Sequence, residues 1–132
     1  MPPATSDNDI SDFHIQVAKE NYERYQRLLQ NNLDIDWALI ALFYCAVHLV
    51  QAHAAMYAPR IPGERVPVDH KTRNHYAANR LPEIFDAYAL LKNVSEDARY
   101  DGVKRTREEV VDLHNNFFEP IKSRLARRKI NW

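Results

Sequence analysis

Asp36-Trp37-Ala38-Leu39-Ile40-Ala41-Leu42-Phe43-Tyr44-Cys45-Ala46-Val47-His48-Leu49-Val50 is the stretch that decides the fold. From Trp37 to Val47 it holds 11 consecutive apolar residues, and beyond His48 to Val50 it meets Gln51 and His53. A bilayer span needs roughly 20 apolar residues, so the run predicts a buried helix rather than a membrane helix. Asp34 or Asp36 opens it and it extends to about Tyr57. A helix that is apolar nearly all round belongs in the middle of a bundle.

The flanking segments supply its neighbours. Ile15, Ala18, Tyr22, Tyr25 and Leu29 step by 3, 4, 3 and 4, the spacing of one helical stripe. This predicts a first helix over Ile10 to Asn31, capped by Ser11 or Asp12, after a disordered leader at 1–9. Pro59, Pro62, Gly63 and Pro67 enforce a loop. Asp69 caps a short third helix to about Asn79, and Pro82 suits the first turn of a fourth, Leu81 to Lys92, with Ile84, Phe85, Tyr88 and Leu91 inward. Asn93 to Gly102 reads as a connector. A last helix over Lys104 to Lys129 carries Val110, Leu113, Phe117, Ile121 and Leu125, with a kink near Phe117 imposed by Pro120. No segment has a period of two. The expected fold is all-α: an up-and-down bundle of four to five helices forming a single domain over 10–132.

Composition narrows the function. Lys and Arg total 18 and Asp and Glu total 18, so the formal charge is zero and any polyanion contact must be local. The charge is uneven: residues 1–66 carry 5 basic and 8 acidic groups, residues 67–132 carry 13 and 10. Two glycines leave no glycine-rich phosphate loop. The single Cys45 forms no internal disulfide and no cysteine-based zinc site; it reads as a core residue. The acidic start lacks the apolar segment of a signal peptide. These features predict a cytoplasmic protein.

Polar groups on the apolar rod need an explanation. Tyr44, His48 and Gln51 stand at i, i+4 and i+7 on one face, while His53 points roughly opposite. Burying such groups without partners costs on the order of 1–3 kcal/mol, so other helices must answer them, either as a structural network or as a functional site. His70, Arg73 and Asn74 lie one turn apart on one helix face. A guanidinium binds phosphate in bidentate fashion and an imidazole moves protons near neutral pH, though a solvated first turn would look the same. Arg99-Tyr100 suits stacking on a base or anchoring a hinge. Lys122, Arg124, Arg127, Arg128 and Lys129 place five cations in eight residues, as a solvated helix end or a polyanion contact. No Glu-x-x-His occurs, and His48 and His53 are badly spaced for one metal, so no metal site is expected.

With these residues in view, the run from Asp36 to Val50 resembles the second helix of HEPN-domain proteins, in which small and aromatic residues precede Tyr and then His. Asp69-His70-Lys71-Thr72-Arg73-Asn74 and Ser95-Glu96-Asp97-Ala98-Arg99-Tyr100-Asp101 are similar to later blocks of one compact prokaryotic branch. The resemblance spans about residues 12–128. It implies a helical homodimer that binds RNA, in many members a metal-independent endoribonuclease of toxin–antitoxin, CRISPR or phage-defence systems, and in others a non-catalytic or nucleotide-binding module. It therefore implies RNA or a nucleotide as ligand, an antitoxin or defence protein as partner, and no cofactor. The family's catalytic spacing of Arg to His is met by Arg65 to His70 and by Arg107 to His114; Arg73-Asn74 has the motif's opening without a histidine at the required distance. The residues expected to carry chemistry are His70, Arg73 and His48, with Arg107 and His114 as the alternative pair. Tyr44, Asn74, Arg99, Tyr100, Arg124, Arg127 and Arg128 are expected to bind.

Overall fold

The computed structural model describes residues 6–32 and 34–132. Among them are five helical rods and no strand. Helix α1 spans Asp7–Gln30, α2 Ile35–Tyr57, α3 His70–Arg80 and α4 Pro82–Tyr100; the fifth rod is built of α5, Arg107–Leu113, a π-helical turn, His114–Phe118, and α6, Glu119–Ala126. A 3-10 turn at Ala58–Arg60 ends α2.

Helix α2 is the axis. Sixteen of its 23 residues are buried, and Leu39, Leu42, Phe43, Ala46 and Val50 are fully so. Among the described residues it is the one helix long and apolar enough to cross a membrane, and 83% of its most apolar window is covered by the rest of the bundle. Helix α1 runs antiparallel along it: Ser11 near the start of α1 donates to the Ala52 carbonyl near the end of α2 at 2.9 Å. The start of α1 therefore differs from expectation. Ser6 is the N-cap, in a reciprocal capping box with Asp9, while Ser11 is buried inside the helix. Of the expected leader 1–9, residues 1–5 lie outside the described residues and Asp7 to Asp9 form the first turn of α1.

Two further expectations are corrected. Residues 93–100 are not a connector, because α4 continues through them to Tyr100. Its inward stripe extends through Val94 and the buried Ser95, and the true stop is Gly102, whose φ of +65° lets the Val103 N–H close on the Asp97 carbonyl at 3.2 Å. The last rod, expected from Lys104 with a kink near Phe117, begins at Arg107 and carries a π-helical turn at the place of the expected kink. Pro120 has no N–H for the carbonyl four residues back, and the π-helical turn over His114–Phe118 absorbs the misfit just before it. The turn's extra residue shifts the stripe: Phe118 is fully buried in place of the expected Phe117, which is half-buried. After α6 the chain folds back through Lys129 at φ +66°, and fully buried Ile130 donates to the Leu125 carbonyl at 3.0 Å.

Candidate functional site

Tyr44, His48 and Gln51 leave the same side of α2, and a different helix answers each. His48 Nδ1 lies 3.0 Å from Nδ1 of His14 on α1, with the rings stacked at 5.2 Å between centroids. Gln51 is buried and uses both ends of its amide: Nε2 donates to the Pro67 carbonyl at 2.8 Å, and Oε1 accepts from Arg73 Nε of α3 at 3.0 Å. The Tyr44 hydroxyl accepts from Arg99 Nη1 of α4 at 2.7 Å. Asp69, capping α3 through Thr72, fixes the first turn that carries His70 and Arg73. There Arg73 Nη1 lies 3.3 Å from His70 Nδ1, and the His70 ring stacks on buried Phe43 with centroids 6.2 Å apart.

The electrostatics follow from this packing. Burial pushes the pKa of His48 down to about 4, reinforced by His14 and Arg73. Burial and then Arg73 lower that of His14. His70 is lowered by burial, then by Arg73, Lys92 and Arg99, against an opposing Glu96. All three imidazoles are therefore neutral at neutral pH, and each carries one ring proton. A contact between two Nδ1 atoms then requires one ring to donate and the other to accept. The donating ring keeps a bare lone pair at Nε2, while the accepting ring keeps a proton there. At His70 the Arg73 guanidinium donates to Nδ1, which leaves the ring proton on Nε2. These tautomers follow from the hydrogen-bond network.

Arg73 and Arg99 are half-buried, yet among the described residues neither lies within ion-pair distance of a carboxylate. Fully buried charges are normally paired, and these two are covered only in part. The nearby Glu96 is already bonded to Lys92 at 2.8 Å. Arg99 Nε and the Tyr88 hydroxyl are buried without a hydrogen-bond partner. Burial pushes the Tyr88 pKa up to about 12, with Arg73 opposing it. The cluster thus offers two free guanidinium charges and a set of N–H donors beside a neutral imidazole pair. That arrangement accepts an anion and can move a proton.

The remaining expected site residues are distributed elsewhere. Arg99 stands on α4 rather than in a loop; its guanidinium lies 4.8 Å from the centroid of the exposed Tyr100 ring. Asn74 points away from the cluster, with a buried and unpartnered Oδ1, beside a cavity of about 630 Å³ lined also by Arg65, Lys71, His75 and Phe85. Arg65 therefore faces that cavity while His70 turns to Phe43 and Arg73. Arg107 Nε donates to the Leu29 carbonyl at 3.3 Å, whereas His114 Nε2 meets the Tyr22 hydroxyl at 2.9 Å and Glu119 at 3.0 Å. The two engage separate points of α1. Arg124 pairs with Glu83, Arg127 is exposed, and Arg128 lies beside His53 at another cavity.

His14 and Lys92 are the members that sequence reasoning missed. His14 was detectable: it stands four residues before Ala18, on the inward stripe of α1. Lys92 gives no such signal, since it reaches the cluster only through its charge acting on His70 from α4. Among the described residues no group of three or more His, Cys, Asp or Glu is placed to hold a metal ion. Comparison of the chain with family models, with curated proteins and with solved structures gave no match.

Proposed function

We propose that the protein is a HEPN-like RNA-binding domain that holds a phosphodiester of single-stranded RNA at this cluster and cleaves it without a metal ion. The observation that carries the reading is the pair of half-buried guanidinium groups, Arg73 and Arg99, left without carboxylates beside three neutral histidines. Arg73 and Arg99 bind the phosphate, and the His70 Nε2–H donates to a non-bridging oxygen as its charge grows. The bare Nε2 of the His14–His48 pair takes the proton of the ribose 2′-OH. The proton crosses between the two Nδ1 atoms, and the opposite Nε2–H protonates the departing 5′-oxygen. The products are a 2′,3′-cyclic phosphate and a 5′-hydroxyl, and the pair ends neutral.

The test is cleavage of a fluorescent single-stranded RNA in low salt with EDTA present. Wild type is expected to cut. His70→Ala, Arg73→Ala and His48→Ala are expected to lose on the order of 10²–10⁴ in rate while circular dichroism stays native. Activity lost through Arg107→Ala and His114→Ala alone would move the site to the last rod. Assembly as a homodimer belongs to the same proposal; light scattering would then give about 31 kDa, twice the 15.5 kDa of one chain.

One observation favours a second reading, a non-catalytic module for a protein partner or nucleotide. Gln51 ties Arg73 to the Pro67 carbonyl, which makes Arg73 a strut between α2, α3 and the preceding loop. If wild type neither binds nor cuts RNA and Arg73→Ala lowers the melting temperature, this reading replaces the first.

A further inference from the structure

The far end of α2 carries a second polar site, separate from the His48 cluster; of its candidate ligands only an RNA terminus rests on the proposed function. His53 is 5% exposed. Its Nδ1 lies 2.8 Å from the Tyr76 hydroxyl of α3, and its Nε2 is buried with no partner. Among the described residues the Tyr76 hydroxyl has no other hydrogen-bond partner; in the tautomer that serves as a donor to a ligand, the hydroxyl donates to Nδ1. The imidazole proton then sits on Nε2 as a donor without an acceptor. A buried, unused donor costs about 1–3 kcal/mol.

That ring lines a cavity of about 230 Å³, together with Tyr57, Arg60, Tyr76, Arg80 and Arg128. Arg80 is bonded to Glu64 at 2.7 Å, and Arg124, which also acts on His53, is bonded to Glu83. Arg60 leans on the Tyr57 ring, 5.3 Å from its centroid, and neither Arg60 nor Arg128 lies within ion-pair distance of a carboxylate among the described residues. Four guanidinium groups thus face two carboxylates, an excess of two positive charges. The Tyr57 hydroxyl holds the Arg128 backbone carbonyl at 2.8 Å and so fixes the wall on that side.

We propose that this cavity binds a phosphate group, with His53 Nε2–H donating to one oxygen while Arg60 and Arg128 neutralise its charge. Sites for whole small-molecule ligands run to about 300–1,000 Å³. A smaller cavity holds the phosphate head while its substituent remains outside. Free inorganic phosphate and the terminal phosphate of an RNA chain share this chemistry.

The experiment is NMR observation of the His53 imidazole in the full chain labelled with ¹⁵N. Inorganic phosphate is titrated at pH 7 and constant ionic strength, and then RNA decamers bearing a 5′-phosphate or a 5′-hydroxyl. A saturable shift of the Nε2 resonance, at least tenfold weaker in the Arg60→Ala, Arg128→Ala double variant, is the expected result. Both arginines are exposed and the variant keeps His53, so circular dichroism should stay native. Saturation by inorganic phosphate assigns a free anion, and saturation by the 5′-phosphorylated decamer alone assigns a chain terminus. A linear shift, an equal shift with chloride, or an unchanged titration in the double variant overturns the proposal. His48→Ala should leave the titration intact, which separates this site from the cleavage reading.

Discussion

His48 and His53 stand five residues apart on one helix, about 140° round its axis. Burial pushes both pKa values down to about 4. Their surroundings differ in what they let the ring do. His48 faces another imidazole, and either ring of that pair can hold the shared proton, so the pair has two tautomers. His53 faces a phenol, and when that hydroxyl donates to Nδ1 the ring proton sits on Nε2. The same depressed pKa thus accompanies an imidazole pair on one side of α2 and an imidazole–phenol pair on the other. Charge state alone does not define a histidine's role; the identity of its hydrogen-bond partner does.

The comparison breaks most visibly in catalysis. His48→Ala should lower RNA cleavage on the order of 10²–10⁴-fold, while Arg128→Ala beside His53 leaves the rate at saturating RNA unchanged. A rate loss in Arg128→Ala would merge the two regions into one site. Next in size is Phe43→Ala. Phe43 is fully buried and carries the His70 ring and Tyr88 on its faces, so its loss should cost about 3–5 kcal/mol in urea denaturation. A loss under about 1 kcal/mol would show that α2 is not the axis.

Smaller effects sharpen the contrast. His53→Leu strands the buried Tyr76 hydroxyl and should cost about 1–3 kcal/mol. His48→Leu leaves only the half-exposed His14 without its partner and should cost less. The reverse order would contradict the burial of the two rings. Acid should act on both. Each histidine has a folded pKa below its unfolded value, so the unfolded chain binds more protons between about pH 6.5 and 4. The stability this confers is complete above pH 6.5 and is lost as pH falls towards 4. Melting temperatures measured down this range should fall less steeply in a His48→Asn, His53→Asn variant. Lys104→Ala removes an exposed ion pair with Asp36, remote from both histidines, and should leave the melting temperature unchanged.

The axis of the fold was legible because α2 is apolar nearly all round, and a rod of that kind has only one place to go. The caps of α3 and the start of α4 were legible for a local reason, since Asp69 and Pro82 act on neighbouring residues. The continuation of α4 was hidden: Ser95, Glu96 and Asp97 carry loop-like side chains, and it is the burial of Val94 and Ser95 that shows the helical stripe goes on. The site was half legible. Tyr44, His48 and Gln51 announced unmet hydrogen bonds, and His70 and Arg73 announced a shared face. The His14 partnership and the free charge on Arg99 depend on which rods touch and at what height, and that information is in no single segment.

The π-helical turn at His114–Phe118 sets a phase for everything after it. One residue corresponds to about 100° of rotation along a helix. Shortening this turn by a single residue would swing Ile121 and Leu125 off the core and carry Arg124 and Arg128 away from His53. The positive end of the chain faces the His53 cavity because five residues between α5 and α6 are wound more loosely than their neighbours. A proline that would elsewhere only bend a helix thereby acts here as an angular setting, selecting which side of the bundle receives the C-terminal charge.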